Sequence, residues 1–196
     1  RTMDRGESWD AISPDLTKNE DTGDWTIMGL SPALRAYNTL TAIDESPLRK
    51  GLIYAGADDG SVHRTTDAGE TWQSLSDRFD LKGPGRFVTS IHASSSDPAA
   101  AYIAVTGHYE NDFRPHLFKT EDAGDSWTRI TDDMPAEAIV LSVLEHPDNP
   151  DLLFAGIHNG LLVSVDGGTS WRRAGGNLPP VSVNDIEVKD GDLILG

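Results

Sequence analysis

The sequence predicts an all-β fold of repeated four-stranded blades, a β-propeller. Three observations carry this: an octet pattern occurs four times, β-rich runs recur around each copy, and no segment shows sustained helical periodicity. The octet reads [Ser/Thr]-x-Asp-x-Gly-x-[Ser/Thr]-Trp. Its copies run Thr2 to Trp9, Thr65 to Trp72, Thr120 to Trp127 and Ser164 to Trp171, so four of the five tryptophans end a copy. The Trp-to-Trp steps are 63, 55 and 44 residues, and the shortest is close to the ~40–45 residues of a propeller blade.

Within the octet, Asp4, Asp67, Asp122 and Asp166 are expected to accept the backbone N–H two residues on. Gly6, Gly69, Gly124 and Gly168 supply the positive φ of a tight reversal. Trp9, Trp72, Trp127 and Trp171 are expected to wedge between neighbouring sheets, each indole N–H finding one acceptor. These twelve residues therefore read as scaffold. A calcium loop would need further oxygen ligands at alternate positions and a terminal Glu, which no copy has. No metal and no cofactor is expected.

The strands follow in order. Before each of the last three octets lie two runs: Thr39–Asp44 then Leu52–Gly56, Val88–Ala93 then Ala101–Val105, and Ile139–Leu144 then Leu152–Gly156. A third run leads into each octet and the Trp opens a fourth, which makes four strands per unit. The units are 1–38 (the end of a third strand and a fourth, plus a long link), 39–87, 88–138, 139–182 and 183–196 (the start of a further blade). About four blades lie at the low limit for a closed ring, so a segment of a larger propeller is expected. Its open sheet edges would pair with the remaining blades of the same propeller or with another copy.

Loop lengths separate two faces. From the proline after the first strand to the glycine closing the second, the count is nine in each unit, for Pro47 to Gly56, Pro98 to Gly107 and Pro147 to Gly156. The stretches from that glycine to the octet, and from Trp to the next unit, vary. In a meander these variable loops share one edge, and elaborated loops on one side of a repeat array mark a binding surface. That face would carry Trp25, Arg35, Tyr37, Asn38, Arg86, His108, Tyr109, Arg114 and His158. Arg35, Arg86 and Arg114 can form a fork for a carboxylate or sulfate, while Trp25, Tyr37 and Tyr109 can stack on a sugar ring. The alternative is that the loops pack on one another and the arginines neutralise an acidic surface. Asp24, Glu110 and Asp112 are the carboxylates placed to act as catalytic acid and base if the face is hydrolytic.

The formal net charge of −16 is spread along the chain without a Lys/Arg cluster, which argues against nucleic acid. Apolar runs reach seven residues, far short of the ~20 of a membrane span. Without cysteine there are no disulfides or thiolate metal sites. Asp58-Asp59 and Asp132-Asp133 read as turn formers, and His92 and His146, near the first strands, as packed residues. Walker, nucleophile-elbow, zincin and dinucleotide motifs are absent.

The octets resemble the Asp-box, or BNR, repeat of bacterial sialidases and related glycosidases. The wider phrases Leu52–Gly60, His116–Trp127 and Leu153–Gly168 are similar to bacterial secreted glycosyl hydrolase-like proteins with sortilin-type propeller domains. The resemblance covers essentially the whole chain. It implies a propeller with Asp-boxes at peripheral turns, away from any catalytic centre. It also implies two alternative functions, since such boxes occur in receptors and an assembly factor as well as in hydrolases. One is a scaffold or binding module for a protein, peptide or glycan; the other is a sialidase- or xyloglucanase-like glycoside hydrolase. Catalytic residues of those hydrolases find no position-by-position match here. An extracellular or periplasmic location is expected from the resemblance alone; the chain opens on Arg1 inside a repeat, and residues preceding it are expected.

Overall fold

A computed structural model describes residues 1–19, 38–79 and 86–196. Three four-stranded antiparallel meanders follow one another. The first holds β1 (Leu40–Glu45), β2 (Ile53–Ala57), β3 (Val62–Thr65) and β4 (Gln73–Ser74); the second β5 (Phe87–Ala93), β6 (Ala101–Thr106), β7 (Leu117–Thr120) and β8 (Thr128–Arg129). The third holds β9 (Val140–His146), β10 (Asn149–Ile157), β11 (Gly160–Ser164) and β12 (Arg172–Arg173), and β13 (Ile186–Lys189) with β14 (Asp192–Leu195) forms a two-stranded hairpin after it. The all-β blade architecture is as the sequence predicts.

The first strands β1, β5, β9 and β13 lie beside one another, so the sheets fan around a common axis. The second strands β2 and β6 are buried along their whole length, each packing against the sheet that follows, which is why they read as continuous apolar runs rather than alternating ones. The core is accordingly built between blades. Leu52, Tyr54, Val88, Ile103 and Phe118 fill the seam between the first two sheets, and Tyr102, Leu117, Val140, Leu153, Ile157 and Trp171 fill the next. Phe154, Leu161, Val183 and Ile186 seat the hairpin.

The octet forms the corner between third and fourth strands, by a mechanism that corrects the sequence reading. Two successive residues have positive φ, Ala68 and Gly69 for example, or Gly167 and Gly168. The chain therefore folds back far enough for Asp67 Oδ1 to accept the N–H of Thr71, four residues on rather than two, at 2.9 Å. Thr65 Oγ1 donates to the same carboxylate and accepts the Gly69 N–H. The other three octets repeat this pattern through Asp4, Asp122 and Asp166. Hydroxyl donors, led by Thr65, Ser126 and Ser170, hold Asp67, Asp122 and Asp166 down to about 2, and Ser8 lowers Asp4 further. These carboxylates each accept three hydrogen bonds within their own octet and belong to the corner.

The indoles join blades. Trp72 Nε1–H donates to the carbonyl of Ile12, and Trp171 Nε1–H to that of Ile130, each at 2.8 Å and each on the unit before. The matching acceptor for Trp127 would be Leu75, but a 3₁₀ turn at Ser76–Arg78 takes that carbonyl for the Arg78 N–H. Trp127 Nε1 is thus buried without a partner, while its ring packs against Phe79 at 5.0 Å. Trp9, with no blade before it in the described residues, is 72% exposed. The strands expected around the first octet do not form. Arg1 and Asp10 still exchange two backbone hydrogen bonds, as facing residues of a third and fourth strand would.

The proline-to-glycine count needs correction in the second sheet. Equivalent register shifts place Gly56 opposite Ala42, Ala104 opposite Ser90 and Gly156 opposite Ser142. Gly107 therefore lies three residues past the position it was matched to. The turn itself is constant: Glu45 pairs with Ile53, Ala93 with Ala101 and Glu145 with Leu153, eight residues apart each time. The same register shows that His92 and His146 are not equivalent, since His92 faces Tyr102 and His146 faces Asn149. Asp58 and Asp59 are turn residues, both buried; Asp59 accepts the Ser61 and Lys18 N–H groups and so ties the N-terminal segment to the first sheet.

Candidate functional site

The variable loops do converge on one face. Thr39 and Asp58 exchange backbone and side-chain bonds, joining the entry of β1 to the β2–β3 turn. His158 N–H donates to Ile139 in the same relation, and Arg86, just before β5, reaches Asp112 in the β6–β7 turn. Asn38 and Arg86 thus mark corresponding places at the entries of successive blades, and His158 occupies the place of Asp58. Asp24, Trp25, Arg35 and Tyr37 lie outside the described residues.

The β6–β7 turn is the longest of the three turns between second and third strands among the described residues. It leaves β6 through a 3₁₀ turn, His108–Glu110, closed by Asn111 in the left-handed region, and a bridge from Gly107 to Asp112 pins its base. A Cβ at Gly107 would fall on the Arg86 guanidinium, so a side chain there would displace that group from Asp112. Asp112 gathers the loop. It accepts from Arg86 Nη1 at 2.8 Å, from Arg114 Nε and Nη2 at 2.8 and 2.9 Å, and from His116 Nε2 at 3.0 Å. On the far side of the imidazole, Arg129 Nη1 stands 2.9 Å from His116 Nδ1 and also donates to the Pro115 carbonyl. Arg114, followed by Arg86 and His116, holds the Asp112 carboxyl far below the usual carboxylate range. Burial lowers His116.

These contacts revise two expectations. Arg86 and Arg114 do converge as a fork, but the carboxylate they grip is Asp112 of the same loop. Asp112, offered as a catalytic acid or base, is ionised and engaged by two guanidinium groups, the His116 ring and the Arg114 N–H, so it has no proton to give and its lone pairs are taken. Glu110 lies in the exposed part of the 3₁₀ turn.

Beside this knot lies a concave surface of about 240 Å³, lined by Phe87, Thr89, Thr106, His108, Tyr109, Leu141 and Asn184. His108 Nδ1 is 2.7 Å from Thr106 Oγ1, and the His108 and Tyr109 rings lie against each other, centroids 3.9 Å apart. The lining carries apolar and aromatic faces, three hydroxyls and an amide, and no acidic or basic side chain other than the imidazole. Sequence reasoning found His108 and Tyr109 but missed Phe87, Thr89, Thr106, Leu141 and Asn184, which come from three different blades and share no local motif. It also missed His116 and Arg129, whose roles arise only from the pairing of β7 with β8.

Among the described residues no group of three or more His, Asp or Glu side chains could hold a metal ion, and no helix is long and apolar enough to cross a membrane.

No family model matches the chain. It is 32% identical over 136 residues, 63% of its length, to xyloglucanase Xgh74A of Acetivibrio thermocellus, and spans only 16% of that protein. A crystal structure of an ancestral GH74 enzyme superposes with a TM-score of 0.56 at 20% identity, covering 71% of this chain and 19% of the enzyme. YCF48 bound to D1 peptide superposes with a TM-score of 0.59 at 14% identity, covering 80% and 47%. The chain is a β-propeller segment with partial homology to GH74 xyloglucanases, and it shares its fold with YCF48.

Proposed function

We propose that this segment supplies a binding face of a larger propeller, and that the surface beside His108 and Tyr109 takes an uncharged saccharide. The single observation that carries this reading is the chemistry of that surface. Aromatic planes and apolar groups suit the C–H faces of a pyranose, while the Asn184 amide offers hydroxyl-matched hydrogen bonding and the Thr89 hydroxyl, already donating to the Val140 carbonyl, keeps its acceptor side. An acidic or basic ligand would find no charge partner there. Partial homology to xyloglucanases supports a glycan over a peptide.

The same homology favours a second reading, hydrolysis of that glycan. A glycosidase needs two carboxyl groups roughly 5–10 Å apart across the bound sugar. None of the described lining residues is a carboxylate, so hydrolysis would draw its acid and base from Asp24, Glu110 or blades outside this chain. Calorimetric titration with xyloglucan oligosaccharides tests the binding reading. Micromolar to millimolar affinity, lost on Tyr109→Ala, is expected; equal affinity of that variant, or preference for a uronic-acid oligomer, would refute it. An aryl-glycoside screen with Glu110→Gln beside the parent chain tests the hydrolytic one.

A further inference from the structure

Asp112, His116 and Arg129 hold the β6–β7 turn that presents His108 and Tyr109, and the direction of their hydrogen bonds makes that support conditional. A guanidinium has only donors, so at 2.9 Å from Arg129 Nη1 the Nδ1 of His116 must offer its lone pair. An ionised carboxylate has only acceptors, so at 3.0 Å from Asp112 Oδ2 the Nε2 must carry the hydrogen. Arg86 Nη1, 3.4 Å from Nε2, is directed to the same Asp112 oxygen. His116 is therefore the neutral Nε2–H tautomer, a relay between one fixed donor and one fixed acceptor, and its side chain is 3% exposed.

We propose that His116 is a pH-operated positioning residue for the His108–Tyr109 surface: its protonation at Nδ1 sets two donors face to face, releases Arg129 and loosens the turn that presents the binding residues. The inference deepens the binding reading and rests on it only for its functional consequence. The charged groups facing His116 are Asp112 and Arg114 from its own turn, Arg86 from the entry of β5 and Arg129 from β8. A guanidinium keeps its charge in proteins and Arg114 holds Asp112 ionised, which leaves His116 as the group among these that changes.

The sign follows from the lowered basicity that burial imposes. A histidine harder to protonate in the folded turn than in a free chain stabilises the closed turn above its ordinary value of 6.5, and that support is lost as pH falls below it.

Nitrogen-detected and amide NMR on the 196-residue chain tests this without any ligand. At pH 7.5 the His116 ring should show a protonated Nε2 and a bare Nδ1. On acidification the amides of Gly107, Asn111 and Asp112 should shift in step with His116. In His116→Gln, whose amide can both donate and accept but not titrate, those shifts should vanish. An Nδ1–H tautomer at pH 7.5, or an unchanged loop titration in His116→Gln, overturns the proposal; the ring measurement decides it even if the variant fails to fold. Xyloglucan heptasaccharide is then the probe of consequence. Parent affinity should fall several-fold between pH 7.5 and 5.0 with a flat profile in His116→Gln, and the same fall in both would assign the effect to His108 and overturn the coupling. Absence of heptasaccharide binding at every pH would sink the binding reading while leaving the loop result intact.

Discussion

Trp171→Phe and Trp127→Phe form an internally controlled pair, because the two indoles occupy equivalent corners and differ in one hydrogen bond. Each substitution removes the same atoms from an interblade seam, at a packing cost of about 1–2 kcal/mol. In Trp171→Phe the Ile130 carbonyl also loses its 2.8 Å donor. Losing one partner of a buried pair adds about 1–2 kcal/mol. In Trp127→Phe no hydrogen bond is lost, and a donor buried without a partner disappears, which offsets part of the packing cost. The expected difference is about 2 kcal/mol, or about 4–8 °C in Tm for a chain of this size. Urea and thermal unfolding of both variants under identical conditions measure it. Equal losses, or a larger loss for Trp127→Phe, would refute the assignment of the indole N–H as the joint between blades.

Gly56→Ala should cost about 1–3 kcal/mol, because its Cβ would meet the stiff Val88 side chain; Gly175→Ala, with nothing nearby, should be within about 1 kcal/mol of neutral or stabilising. Urea midpoints separate the two. Glu145 accepts from Ser94 and Tyr102 in the seam between the second and third sheets. The equivalent Ser46 and Tyr54 face Ala93, and the Tyr54 hydroxyl is buried without a partner. Ala93→Glu should therefore be tolerated within about 1 kcal/mol, whereas Ala55→Glu, with no waiting hydroxyls, should cost more than ~3 kcal/mol. Asp112, lowered chiefly by Arg114, contributes stability that is complete above the ordinary carboxylate value and lost as pH falls toward its depressed one. Asp112→Asn should flatten the acid limb of the stability profile, and an unaltered limb would contradict the ion-pair assignment.

Periodic features were legible in the sequence because each repeats a local rule. The Asp and Gly of each octet impose a turn wherever they stand, and the second strands stand out as apolar runs because they are buried along their whole length. What misled was counting between punctuation residues. Pro98 and Gly107 both lie three places beyond their counterparts, so the constant turn was recognised through the wrong residues and the β6–β7 elaboration was undercounted. Asp112 was legible as a carboxylate on the right face but not as the partner of Arg86 and Arg114, since that depends on a guanidinium passing over Gly107. The concave surface was legible only at His108 and Tyr109. Its other walls come from β5, the end of β6, β9 and the segment before β13, brought together by the fan of blades about the axis rather than by any spacing along the chain.

The most direct measurement of the central claim is a map of amide shift changes on adding xyloglucan heptasaccharide at pH 7.5. Changes concentrated on Thr89, Thr106, His108, Tyr109 and Asn184 are predicted. Changes centred on the opposite end of the axis, around Asp44, His92 and Glu187, would contradict it.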